Sequence, residues 1–289
     1  MKWGISEKTL LKGETTMKKI ITVLAVAIMC LTACFALTGC GATTYKDLTI
    51  IEVGGETESF GIAFRQGSDL TRKVEDAIAT LISENKLSAL AQKYGVAGVS
   101  EYVPEAAKNE SSDDFKNVSE KGKLIIGITD YKPMDYKEDG GSEWIGFDAD
   151  LAKMVCEKLG VTAEFLEIDW SNKLLDLKSG KIDCIWNGMT ITDEITGAAD
   201  VTKAYMENRQ VAVVLKSNAE KYSSVDKMGG VRIAAETGSA GEAFINANPS
   251  LKNGLVQVDG QSDAFLEVMS GKSEIAIVDY MMARALIEG

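Results

Sequence analysis

From residue 123 onward the chain alternates short apolar runs with segments of helical period. Lys123 to Ile128, Ala163 to Ile168, Ile182 to Trp186, Arg209 to Leu215, Val231 to Ala235 and Glu274 to Val278 have the length and content of buried strands. Between them, Leu151, Met154, Val155 and Leu159 share one helical face, and Trp170 to Lys178, Ala264 to Met269 and Tyr280 to Ile287 also read as helices. Alternation of this kind predicts an α/β fold with a parallel sheet covered on both faces. In such sheets ligands bind in the crevice at the carboxyl ends of the strands. The stretch Lys181 to Ile195 puts that geometry into a few residues. Its strand reaches Asn187-Gly188, a pair suited to a tight turn. Thr190 and Thr192 then stand just before Asp193-Glu194, acids suited to the first turn of a helix.

Composition removes several function classes. The 289 residues suffice for one large domain or two medium ones, and the net charge of -12 argues against nucleic-acid binding. The chain contains no His, which excludes His acid–base chemistry and His-ligated metals. Without a CxxC pair either, no metal site and no cofactor is expected. Cys156 and Cys184, on apolar elements, read as buried small hydrophobes, with a disulfide between them as the alternative.

The N-terminal region reads as an export signal. Met17-Lys18-Lys19 begins a basic segment, and an apolar run from Ile20 to Ala36 follows. Leu37-Thr38-Gly39-Cys40 closes the run and resembles the bacterial lipobox, which implies lipidation of Cys40 and anchoring outside the cell membrane. Lys12-Gly13-Glu14 could be encoded by a purine-rich ribosome-binding sequence, so translation is expected to begin at Met17. Beyond the leader, Thr49 to Val53 and Ser59 to Arg65 read as strands, and Leu70 to Tyr94 as a helix ended by Gly95. Residues 97–120 are polar and aperiodic and read as a linker.

Four motifs carry a family resemblance: Gly146-Phe-Asp-Ala-Asp-Leu-Ala152, Asn187-Gly-Met-Thr-Ile-Thr-Asp-Glu194, Glu236-Thr-Gly-Ser239 and Ile277-Val-Asp279. Together they resemble the polar amino-acid-binding proteins of ABC importers, extracellular solute-binding proteins of family 3. The resemblance implies a two-lobed type II periplasmic-binding fold that closes on an amino acid and hands it to a permease, without enzymatic activity. That family normally continues past the position of Gly289 with a hinge strand and a long helix, and residues 47–95 look like this missing piece. The chain therefore reads as circularly permuted: 1–40 leader, 41–96 transposed segment, 97–120 linker, and 121–289 the remainder, with lobes at about 121–208 and 217–289. The hinge strands are expected at Arg209–Leu215 and Phe60–Arg65. A monomer is expected, with exchange of the segment between two chains as the alternative.

Site roles follow from the resemblance residue by residue. Asp130, Tyr131 and Trp170 match an acid and two aromatics of the first lobe, and Asn187, Gly188 and Thr190 match its ligand-holding turn. Glu236, Gly238, Ser239 and Ala240 match the turn of the second lobe, and Asp279 its ammonium-binding carboxylate. The physics agrees in part: carboxylates receive an ammonium, N–H groups at a helix start receive a carboxylate, and aromatic walls enclose a side chain. One position departs. Ile195 stands where the family places an Arg that grips the ligand carboxylate. Thr190 with backbone donors, or Arg209, is left to replace it, unless the ligand has no carboxylate. The acids Asp130, Glu236 and Asp279 tilt the site towards a cationic ligand. Two rival readings are an enzyme resembling cyclohexadienyl dehydratase on the same fold and a rearranged gene product without function.

Overall fold

The computed structural model describes residues 44–97, 102–104 and 111–289. The leader, the Met17 start and Cys40 lie outside the described residues, as do 98–101 and 105–110 of the expected linker.

The described chain opens with strands β1 (Leu48–Glu52) and β2 (Glu58–Phe64) and helices α1 (Leu70–Ser83) and α2 (Lys86–Tyr94). Asn85, at φ 58°, divides what the periodicity predicts as one helix, and Gly95, at φ 65°, ends the second part. Asn is one of the few residues that enters this left-handed region at modest cost. Next come α3 (Asp114–Lys121), β3 (Lys123–Ile128), α4 (Phe147–Leu159), β4 (Thr162–Glu167), α5 (Lys173–Ser179), β5 (Cys184–Thr190) and α6 (Asp193–Ala198). The short strands β6 (Asp200–Val201) and β7 (Met206–Asn208) lead to β8 (Gln210–Leu215). Strands β9 (Ile233–Glu236), β10 (Leu255–Val258) and β11 (Ile275–Asp279) then alternate with α7 (Ala240–Ala247), α8 (Gln261–Met269) and α9 (Tyr280–Ile287).

These strands form two sheets, one per lobe. The first has the order β4-β3-β5-β2-β6, with β7 also on β2; the second has the order β1-β8-β11-β9-β10. The expectation of a parallel sheet holds for β3 with β4 and β5 and for β9 with β10 and β11, and fails where the chain crosses between lobes. There, β2 runs antiparallel to β5, and β8 antiparallel to β1 and β11. Each crossing segment carries the chain directly from one sheet into the other, with no helix-linked crossover to set a parallel direction.

Both faces of each sheet are covered, as the near-continuous apolar strands require. Along β8, Val211 and Val213 pack into one core and Ala212 and Val214 into another, with the period of two that a pleated strand imposes. In the first lobe, Cys184 and Trp186 face the α1–α4 side, whereas Ile185 joins Ile168, Ile182 and Ile195 on the opposite side. Cys156 and Cys184 are both free and buried.

The linker expectation is corrected at its C-terminal end. Residues 114–121 form α3, with Val118 buried and the Phe115 N–H donating to the Asp69 carboxylate at 2.8 Å. With only Phe115 and Val118 as apolar contacts, eight residues carry too little periodicity to be seen in the sequence. The four-residue edge strand β10 escaped the sequence reading for the same reason.

Two segments connect the lobes. Residues 53–57 join β1 to β2, and Arg209 joins β7 to β8. Because β1 pairs with β8 and β2 with β7, the crossings run side by side as one antiparallel ribbon.

Candidate functional site

The carboxyl end of β5 departs from the turn expected at Asn187-Gly188. The strand runs on to Thr190, and Gly188 sits inside it at φ 55°, opposite a register shift between Gly61 and Ala63 of β2. This is a bulge, which leaves the strand intact but re-aims its groups. A Cβ on Gly188 would lie 2.5 Å from Cε1 of Tyr131, so glycine is required both for the angle and for the approach of that ring. Asn187 fastens the bulge to the end of β3. Its Oδ1 accepts the Thr129 N–H at 3.0 Å and its Nδ2 donates to Thr129 Oγ1 at 2.8 Å. From below, the Gly188 N–H donates to Asp148 Oδ2 at 2.6 Å. Asp148, in the first turn of α4, thus also fixes the middle of β5.

Beside this bulge lies a cavity of about 250 Å³ between the lobes. The first lobe contributes Tyr131, Trp170, Asn187, Gly188 and Thr190, and the second contributes Glu236, Gly238, Ser239, Ala240 and Asp279. Asp130, the remaining expected contact, is not on the wall. Its carboxyl is pushed up by burial and by the charge of Glu167, with Lys137 opposing, and it does not share the Asp279 environment. The side chain that follows β3 into the cavity is its neighbour Tyr131.

Asp279 is 5% exposed at the end of β11, and three amide side chains hold its carboxylate. Gln210 donates to Oδ1 at 2.7 Å, Asn208 donates to the same oxygen, and Gln261 donates to Oδ2. Burial pushes the Asp279 carboxyl up, and these amides pull it back. Glu58 stands beside it, accepting from Gln210 at 3.0 Å and from Thr190 Oγ1 at 3.2 Å. Burial and the Asp279 charge raise the Glu58 carboxyl. The sequence reading missed Glu58, Asn208, Gln210 and Gln261. A signal existed in Asn208 and Gln210, polar residues flanking Arg209 at the start of an apolar strand.

Glu236 ends β9 at 3% exposed, and its Oε1 has no hydrogen-bond partner among the described residues. Burial, reinforced by Asp279, pushes its carboxyl up to about 8. The turn that follows starts α7: Ser239 Oγ accepts the Glu242 N–H at 3.2 Å and Glu242 Oε2 accepts the Gly238 N–H at 2.6 Å. Opposite this turn is Lys173, also missed in the sequence although its spacing of three from Trp170 puts both on one helical face. Ile195 lines the cavity and packs at 3% exposed in the apolar cluster of the first lobe. Arg209 does not replace an arginine there. Its guanidinium grips Glu52 at 2.6 and 2.9 Å and lies 3.6 Å from the centre of the Tyr280 ring, away from the cavity. Among the described residues no group of three or more Cys, Asp or Glu is placed to hold a metal ion.

Comparison with known proteins places this architecture. A probable histidine-binding protein of Campylobacter jejuni is 30% identical over 166 residues, which cover 57% of this chain and 62% of the relative. The cyclohexadienyl dehydratase of Pseudomonas aeruginosa is 28% identical over 171 residues, covering 58% of this chain and 63% of that enzyme. The chain thus spans less than two thirds of either relative. The arginine-bound form of truncated ArgBP from T. maritima superposes with a TM-score of 0.57 at 28% identity, covering 60% of this chain and 81% of that one. The family model for bacterial extracellular solute-binding proteins, family 3, matches residues 124–277, from β3 to β11. The chain belongs to the bacterial extracellular solute-binding proteins of family 3.

Proposed function

We propose that the chain is an extracytoplasmic receptor that captures a small polar solute, an amino acid with a cationic side chain fitting best, and delivers it to an ABC importer. The observation that carries this reading is the charge of the cavity wall. Asp193, Glu194 and Asp279 stand there, with Glu236 as an acid that an arriving cation brings to its charged form, against Lys173 as the single cation among the described lining residues. Such a wall attracts cations and repels anions. Asp279, with Thr190 and Glu58 nearby, is the acceptor site for the α-ammonium. Trp170 and Tyr131 form the apolar part of the enclosure. In this reading Cys40 is lipidated and holds the receptor at the membrane. The segment 48–94 supplies by permutation, within one chain, the second crossing strand and the helices packed on α4.

Calorimetry of the mature protein with L-arginine, L-lysine, L-histidine, L-glutamine and L-glutamate tests the reading. Binding of the basic amino acids, with L-glutamate silent, is the expected result. Tight binding of L-glutamate and none of the basic amino acids would end the cationic reading, and silence towards every amino acid would end the receptor reading. Mass spectrometry of the membrane fraction for lipid on Cys40, and gel filtration for a monomer, test the anchor and the intrachain closure.

One observation favours a second reading, an enzyme of the dehydratase kind. Glu236 lines the cavity with an Oε1 that no described residue hydrogen-bonds, and burial pushes its carboxyl up to about 8, the direction a general acid needs. Incubation with arogenate or prephenate and detection of product separates this reading from the first.

A further inference from the structure

Among the described residues the cavity wall holds one buried cation, and no carboxylate reaches it at ion-pair distance. Lys173 opens α5 and is 8% exposed. Its Nζ donates to the Gly238 carbonyl at 2.9 Å and to the Trp170 carbonyl at 3.2 Å. Among the described residues no carboxylate lies within salt-bridge distance of it, although Glu236 lines the same wall. Two of its three ammonium protons thus go to neutral carbonyls, and its Nζ lies 4.8 Å from the centre of the Trp170 ring. Glu194, Glu236, Glu242 and Asp169 act on its charge only from beyond ion-pair distance, which leaves the third proton for an anion. A buried ammonium is costly unless it meets an anion, so an arrangement that positions one with two carbonyls and a ring, and with no carboxylate in contact, is completed by an anion. The neighbours of Lys173 suggest what completes it. Gly238 belongs to the turn that begins α7, and Ser239 and Ala240 of that turn line the cavity beside it. The N-terminal end of a helix favours negative charge, so ammonium and helix end converge on the same place.

We propose that Lys173 receives the carboxylate of the bound amino acid, jointly with the start of α7. The proposal rests on the receptor reading above and names the group that does the work Ile195 cannot do. Since Lys173 comes from the first lobe and α7 from the second, a carboxylate held by both ties the lobes together. The ammonium of the ligand then lies towards Asp279, which lines the same cavity.

The test uses wild-type protein, Lys173→Met and Lys173→Gln, with L-arginine and L-argininamide as probes in calorimetry. Argininamide keeps the ammonium and the side chain but lacks the carboxylate. Losing a charge-assisted hydrogen bond weakens L-arginine binding by about ten- to a hundredfold in both variants. The affinity for argininamide is expected to change less than about threefold, because it does not use Lys173 as an anion receptor. Unchanged L-arginine affinity in a folded variant, or equal losses for both probes, would overturn the proposal. If one variant fails to melt cooperatively, the other decides. Failure of the receptor reading itself is distinguishable, because wild-type protein would then bind neither probe.

Discussion

The carboxylate of Asp148, on α4, holds the backbone N–H of Gly188, in the middle of β5, at 2.6 Å. The same oxygen accepts the hydroxyl of Tyr205 at 2.7 Å, and Asp148 is 1% exposed. This buried acid sets the position of the bulge that shapes the cavity, because β5 has no strand partner for that N–H. Asp148→Ala removes the acceptor from two buried donors at about 1–3 kcal/mol each, so urea unfolding is expected to report a loss of about 2–6 kcal/mol. Asp148→Asn keeps a carbonyl oxygen in place and loses less. Equal losses in the two variants would mean that the acceptor is not what matters.

Glu236 makes the stability of the empty protein fall with rising pH. Burial, then the Asp279 charge, pushes its carboxyl from 4.5 up to about 8. The folded state therefore prefers the protonated form more than the unfolded state does. Its contribution is intact below about 4.5 and is lost as the pH climbs through about 8. Glu236→Gln stays neutral throughout. The melting temperature of that variant, minus that of wild type, is expected to grow from pH 5 to pH 9 without ligand. A difference independent of pH would show that Glu236 is ionised in the fold.

A cationic ligand changes the same balance. Its arrival beside Glu236 favours the ionised carboxylate, so binding releases protons and strengthens as the pH rises towards 8. Calorimetry of L-arginine at pH 6.5 in two buffers of different ionisation enthalpy reads the release directly. Glu236→Gln is expected to abolish most of it. Proton uptake on binding would contradict the charge assignment.

How far the sequence could be read depended on the range of the interactions. The alternation after Lys123 predicts the strands and helices because each buries an apolar face whose period is local. Asn187, Gly188, Thr190 and Asp279 were legible through motifs whose residues are close in the chain. Asp130 was misplaced because its neighbour Tyr131 takes the inward direction, and a single residue of register is invisible without the sheet. Glu58, Gln210 and Gln261 were missed because they meet Asp279 only after four distant elements assemble. Lys173 was missed because it resembles an ordinary helix-surface lysine until Gly238, 65 residues away, covers it.

Arg209 belongs to the hinge and not to the ligand. Its fork on Glu52 joins β1 to the crossing into β8, and its face rests on Tyr280 at the start of α9. The pair is open to solvent, with 38% and 61% of the two side chains exposed. It therefore contributes at most about 1 kcal/mol, and the ring contact about another 0.5–1 kcal/mol. Arg209→Ala is expected to lower the unfolding free energy by about 1 kcal/mol, with the difference from wild type shrinking between 0.05 and 0.5 M salt as the ion pair is screened. Because Arg209 does not line the cavity, L-arginine affinity measured on the same variant is expected to stay within about threefold of wild type. A hundredfold loss of affinity with unchanged stability would move Arg209 back into the site and return to it the carboxylate assigned to Lys173.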